Sequence, residues 1–308
     1  MNDILNQFYK KLEEKYSEGN LQAVENFLLQ EAKEHYLCCG KTDDVQIAIY
    51  NELGAYYQNV GRIDDAIDTF KRTRDFVATL CGSETTEYAI VVNNLAGVYR
   101  LGGYKEKALE GYKETLGIYE RIIGLDNYLY YSALNNVALL YIENKKYDEA
   151  RKSLVRVLNS TKDDEELQLE YAISLTNMGT LFSCEGEDDE ARDYLQQAIY
   201  VYGNLPEEKK YHLAAVYNTM GDLLIKKGDK NAALNAYLKS KLLTAKFSGK
   251  TTEYAILCQK IALVAQNVNE KDMARANIDE TLDVLNSLGL SEKPIYAETK
   301  KLASIICN

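Results

Sequence analysis

The side chains with the clearest chemical periodicity in this chain are carboxamides. Asn51, Asn93, Asn135 and Asn218 recur at intervals of 41–42 residues or twice that, with Thr176 and Gln259 holding the same position. The next residue along is Glu52, Asn94, Asn136, Asn177, Thr219 and Lys260. Each carboxamide offers one acceptor and two donors. Asparagine is a mediocre helix former because its side chain competes for backbone hydrogen bonds. A ladder of it at a fixed helical position therefore needs a reason, and two are open. The amides grip the backbone of an extended guest chain, or they bridge neighbouring helices. Arg100 is the only basic residue at its repeat position and lies near Asn93 and Asn94. It is either a partner for a guest carboxylate or a solvated charge. Ile142 and Ile225 hold the position of Arg100 in other repeats and offer apolar pockets. The candidate peptide-binding set is Asn51, Asn93, Asn94, Arg100, Asn135, Asn136, Asn177 and Asn218.

Other chemistries find little support. The two histidines, His35 and His212, are far apart and form no H-x-x-x-H pattern, which speaks against a metal site or a histidine-based triad. Gly40-Lys41-Thr42 and Gly249-Lys250-Thr251 imitate the end of a phosphate-binding loop. The required earlier glycine is His35 in one case and Thr244 in the other, and neither follows a strand pattern. The acidic runs Asp43-Asp44, Asp64-Asp65, Asp163-Asp164-Glu165-Glu166 and Asp188-Asp189-Glu190 sit at helix starts or loops, where acid complements the helix dipole. None of the six cysteines shows C-x-x-C spacing, and adjacent Cys38 and Cys39 suit no ordinary bridge. No catalytic residue, cofactor or metal is expected.

The elements that must position the amides come in a repeat. The string Thr85-Thr86-Glu87-Tyr88-Ala89-Ile90 recurs unchanged at Thr251-Thr252-Glu253-Tyr254-Ala255-Ile256. An apolar residue followed by Ala or Gly keeps phase: Leu53-Gly54, Leu95-Ala96, Val137-Ala138, Met178-Gly179, Met220-Gly221 and Ile261-Ala262. Ala66, Ala108, Ala150, Ala191, Ala233 and Ala274 keep step thirteen residues later. A period in this range means stacked helical units. Each unit reads as helix A, a tight turn and helix B. The turn holds Gly61, Gly103, Gly186, Gly228 or Asn269, all tolerant of the left-handed conformation. Lys145 holds it once and should be strained there or use a different turn. The small residues mark close helix approach, and Tyr57, Phe70, Tyr99, Tyr112, Tyr141, Phe182 and Tyr237 fill the adjoining space. On helix A, the amide positions fall opposite the core leucine at 100° per residue, so they are expected on an open wall.

A leucine followed by Gly or Ala, an aromatic four residues on, then Gly, then Ala is similar to the tetratricopeptide repeat. Val92-Asn93-Asn94-Leu95-Ala96-Gly97-Val98-Tyr99 and Leu134-Asn135-Asn136-Val137-Ala138-Leu139-Leu140-Tyr141 resemble the 42-residue variety of kinesin light chains. Ile123-Gly124-Leu125-Asp126 resembles its linker, without the usual His-Pro. The resemblance implies an all-α, right-handed superhelical solenoid whose A-helix face binds peptides or protein segments. It also implies asparagines at these positions that hold a guest backbone. Six repeats are expected over residues 41–290, with a degenerate hairpin at 1–40 and a capping helix at 291–308 opened by Pro294.

The net charge of −11 argues against nucleic acid or an anionic membrane as partner. Reduced cysteines, no signal-peptide pattern and no apolar span point to a cytoplasmic chain. The expected function is a non-catalytic interaction module that acts as adaptor, scaffold or regulator. A peptide-signal sensor that compacts on binding and a structural homo-oligomer are the alternatives.

Overall fold

The structure, a computed structural model, describes residues 3–39 and 44–306. The Gly40-Lys41-Thr42 triplet, Cys307 and the side chains of Cys38 and Cys39 lie outside the described residues. Fifteen α-helices and no strand occur among the described residues. Seven helical pairs follow one another: α1 (Asp3–Ser17) with α2 (Leu21–Cys39), α3 (Asp44–Asn59) with α4 (Ile63–Leu80), α5 (Thr86–Leu101) with α6 (Lys105–Ile122), α7 (Tyr128–Glu143) with α8 (Tyr147–Thr161), α9 (Gln168–Glu185) with α10 (Asp188–Asn204), α11 (Leu213–Lys226) with α12 (Lys230–Phe247), and α13 (Thr252–Asn267) with α14 (Lys271–Ser287). A short 3-10 helix, Glu207–His212, leads into α11, and α15 (Pro294–Ile306) closes the series against α14 and α13. The chain forms two compact units, residues 1–140 and 141–308, with the boundary inside α7.

One turn geometry recurs between A and B helices. The backbone N–H of Arg62, Tyr104, Lys146, Glu187, Asp229 and Glu270 each donates to a carbonyl five residues back, at 2.8–2.9 Å. Those carbonyls belong to Tyr57, Tyr99, Tyr141, Phe182, Leu224 and Ala265. This is the Schellman closure, and it requires a left-handed residue just before the donor. Gly61, Gly103, Gly186 and Gly228 supply it, and so do Asn269 at φ 66° and Lys145 at φ 60°. Of the two alternatives for Lys145, the same turn under strain is therefore the one realised. A side chain with a Cβ pays about 1–2 kcal/mol there. Lys145 is exposed, so nothing else depends on it. Lys145→Gly is expected to raise the unfolding free energy by about 1 kcal/mol, less the entropy glycine adds to the unfolded chain. Urea titration checks it through an unchanged slope and a higher midpoint.

The small residues on helix A mark true contact. A Cβ built on Gly54 would lie 2.7 Å from the Phe70 ring, and one on Gly221 would lie 2.4 Å from the Tyr237 ring. Of the seven repeat aromatics, Tyr57, Phe70, Tyr112 and Tyr237 are buried, and Tyr99, Tyr141 and Phe182 are half-buried. The partial exposure has a local use: cations cover two of these rings. The Arg151 guanidinium stands 4.7 Å from the centre of Phe182, and the Lys107 ammonium 5.5 Å from that of Tyr99. The acid at the start of α10 does more than complement a helix dipole. Asp188 accepts from Lys226 at 2.8 Å and Asp189 from Lys227 at 2.7 Å, which ties consecutive hairpins of residues 141–308 together.

Candidate interaction wall

The A helices carry the amides, and their neighbours decide how much of each amide is open. In residues 1–140, Asn136 Nδ2 donates to Asn93 Oδ1 at 3.4 Å, joining α7 to α5. In residues 141–308, Lys260 Nζ donates to Asn218 Oδ1 at 2.8 Å, joining α13 to α11. Gln259 Nε2 donates to the Thr299 hydroxyl, joining α13 to α15. The register is the same in the two asparagine rungs: the residue two before the core leucine meets the residue one before it on the next A helix. Asn135 is only 2 % exposed and Asn177 is also buried, so neither stands on an open wall. Asn51, Asn93, Asn94, Asn136, Asn218 and Arg100 are half-buried. Ile142 is 5 % exposed and belongs to the core, a correction to its expected role as a pocket. Ile225 is exposed on α11.

The physical reason is geometric. An A helix inside an array packs against its own B helix and is flanked by an A helix on either side. Part of the face opposite the core leucine is therefore covered by the flanking A helices, and Asn135 and Ile142 are buried there. The residue six beyond the leucine is the more open one, and Asn59, Leu101, Glu143, Cys184, Lys226 and Asn267 at that position are all exposed.

The bridges leave hydrogen-bonding capacity over. The Asn136–Asn93 contact uses one amide hydrogen and one lone pair of the groups present. Asn51 goes further. The register sets it towards Asn94, yet its Oδ1 is buried and accepts from no described residue.

The charged residues of the wall are two of a kind. Lys260 and Glu52 both sit one residue before the core apolar position. Lys260 Nζ donates to the two Asp222 carboxylate oxygens at 2.6 and 2.8 Å and lies 5.3 Å from the centre of the Tyr237 ring. The Tyr237 hydroxyl donates to Asp222 Oδ1 at 2.6 Å. Burial pushes the Glu253 carboxyl up, and Lys260 partly opposes it. Glu52 has no such counter-charge among the described residues. Burial pushes its carboxyl above the ordinary range. Its charge is felt by Tyr9 and Tyr16 of α1, whose hydroxyls burial pushes up first, the latter to about 12. Sequence reading passed over this group. Its signals were the one acid in the second amide series and a tyrosine one period before Asn51.

A carboxyl held above its unfolded value binds more protons in the native state, so it destabilises the fold once ionised. The neutral variant Glu52→Gln is therefore expected to melt higher than wild type at pH 7. The gain should shrink to nothing as pH falls below the ordinary carboxylate range. Melting curves across pH 3–8 check this.

Elsewhere the ionisable groups look structural. Burial raises the Cys258 thiol to about 11 and also raises Cys184, which keeps both thiols neutral. Burial lowers His212 to about 4. Burial would raise Glu280, but donors from Lys241, Lys250 and Tyr254 outweigh it and hold the carboxyl at about 2. No group of three His, Cys, Asp or Glu is arranged to hold a metal among the described residues, and no helix of these is long and apolar enough to cross a membrane. A crevice of about 620 Å³ is lined by Tyr171 and Leu175 of α9 and by Gln196 and Tyr200 of α10, the last 74 % exposed.

Comparison with known proteins agrees with this geometry. The tetratricopeptide repeat model matches residues 45–121, 129–204 and 170–241. Among solved structures, BtubC (BKLC) from P. vanneervenii is 21% identical, covering 65% of this chain and 80% of its own, with a TM-score of 0.56. A tetratricopeptide repeat protein from Parabacteroides merdae is 18% identical over 100% of both chains, with a TM-score of 0.53. The quorum sensor NprR from B. thuringiensis, in its apo form, is 16% identical over 100% of this chain and 89% of its own, with a TM-score of 0.53. No curated protein sequence matches the chain. The repeat period, the Schellman turns, the small-residue contacts and the family match agree: the chain belongs to the tetratricopeptide repeat family.

Proposed function

We propose that this chain is a protein-interaction module that receives a peptide or protein segment along its A-helix wall. The repeat family and its structural neighbours support the interaction role. The observation that carries the wall reading is the unused hydrogen-bonding capacity of the half-buried Asn93, Asn94 and Asn136 in residues 1–140, which share a single contact. Each hydrogen bond that a guest backbone makes to such an amide is worth about 0.5–1.5 kcal/mol net. Arg100 stands on the same helix as Asn93 and Asn94 and is the residue to pair a guest carboxylate. In residues 141–308, Asn218 is engaged by Lys260, so a guest there meets the exposed side chains of Ile225, Ile256 and Leu263 instead. Asn135 and Asn177 support the wall from beneath.

Random-peptide display on the purified chain tests this reading. A motif enriched on wild type and lost on Asn93→Ala/Asn94→Ala/Asn136→Ala is the expected result. Equal enrichment on both proteins moves the site to another face.

The likeness to NprR across the whole chain favours one second reading, a sensor that changes shape when a peptide arrives. Small-angle scattering with the selected peptide separates the two: a smaller radius of gyration supports a sensor, and an unchanged one supports a rigid adaptor.

A further inference from the structure

The two charged residues of the amide register are treated differently by the fold. Lys260 is fully answered within the chain by Asp222, Asn218 and the Tyr237 ring. Glu52, at the same register on α3, meets no cation among the described residues. Of the lysines of α1, Lys15 bonds Glu18 at 2.7 Å, Lys11 lies 3.6 Å from Glu31, and Lys10 makes no ion pair with Glu52. Across the α1–α3 contact, the groups that feel the Glu52 charge are the hydroxyls of Tyr9 and Tyr16. Tyr9 is 42 % exposed and Tyr16 is 36 % exposed, and α1 packs on α3. In the register that pairs Asn93 with Asn136, position 9 is the one that meets position 52. A half-buried carboxylate facing two partly exposed tyrosines of α1 is the counterpart of the Lys260 arrangement with no cation among the described residues. Carboxylate oxygens accept charge-assisted hydrogen bonds, and aromatic faces attract the same cation.

We propose that Glu52, Tyr9 and Tyr16 form a subsite for a guanidinium or ammonium group of the guest. The proposal rests on the wall reading above and adds the chemical class of one guest group. The surrounding rings favour the flatter, more weakly hydrated guanidinium.

The test uses the full chain with labelled tyrosine rings and small probes, so it does not need the natural guest. N-acetyl-arginine amide is titrated beside N-acetyl-citrulline amide, which has the same shape without the charge, and beside glycinamide, which carries only an α-amine. The expected result is saturable movement of the Tyr9 and Tyr16 signals with the arginine probe, at least about tenfold weaker with citrulline and lost in Glu52→Gln. Movement with glycinamide as well assigns the site to any ammonium, including a peptide N-terminus. Movement with the arginine probe alone assigns it to a side chain. Equal response to arginine and citrulline, an unchanged response in Glu52→Gln, or no response to arginine overturns the proposal. Circular dichroism confirms that the variant is folded. The wall reading fails separately: if display yields no motif while the arginine probe still binds, the cation site stands and the extended guest does not.

Discussion

Phe70→Ala is expected to lower the unfolding free energy by about 3–5 kcal/mol. The ring is 1 % exposed and rests directly over Gly54, so its removal leaves a cavity between α4 and α3 that neither helix fills. The opposite change tests the same contact. Gly54→Ala gains helix propensity but puts a carbon where the ring already stands, 2.7 Å from its edge. Overpacking of this kind costs about 1–3 kcal/mol, so the net sign is destabilising. Gly54→Ala combined with Phe70→Leu should recover part of the loss, because the smaller side chain makes room. Urea unfolding of the two single variants and the double variant gives the coupling as a double-mutant cycle. Additive effects would mean that the glycine is small for another reason.

The second large effect concerns binding. Replacing Asn93, Asn94 and Asn136 with Ala removes three carboxamides from one stretch of wall and only one internal contact, the 3.4 Å bridge between Asn136 and Asn93. Net hydrogen bonds are worth about 0.5–1.5 kcal/mol each. Three lost together weaken a selected peptide by at least about tenfold. The fold should lose little, because alanine is a better helix former than asparagine. A variant that binds weakly but melts near wild type separates recognition from bridging. A variant that melts far lower and binds as before would assign the ladder to bridging alone.

Much of the fold was legible because it rests on local rules repeated in phase. The turn glycines announced the left-handed position, and Lys145 and Asn269 adopt it as their neighbours do. The Gly54 and Gly221 contacts were legible for the same reason, since a small residue beside a large one recurs at one spacing. The wall was harder. Angles measured from a single core leucine treat a helix as having one buried face, whereas an A helix here has two flanks as well. That is why Asn135, Asn177 and Ile142 are buried although the helical wheel opens them to solvent. The bridge from Lys260 to Asn218 joins residues 42 positions apart and appears only once two A helices lie side by side. Glu52 shows the same limit. Its charge was visible, but its lack of a counter-charge depends on where the lysines of α1 reach.

Recognition on the A-helix wall stands or falls on where a guest lies. A display-selected peptide carrying a photoactivatable residue, cross-linked to the full chain and mapped by mass spectrometry, measures that directly. Cross-links are expected on α3, α5 and α7, near Asn51, Asn94 and Asn136, and should disappear with Asn93→Ala/Asn94→Ala/Asn136→Ala. Cross-links on the B helices, near Tyr200 or Leu242 for example, would contradict it and place recognition on the opposite side of the hairpins.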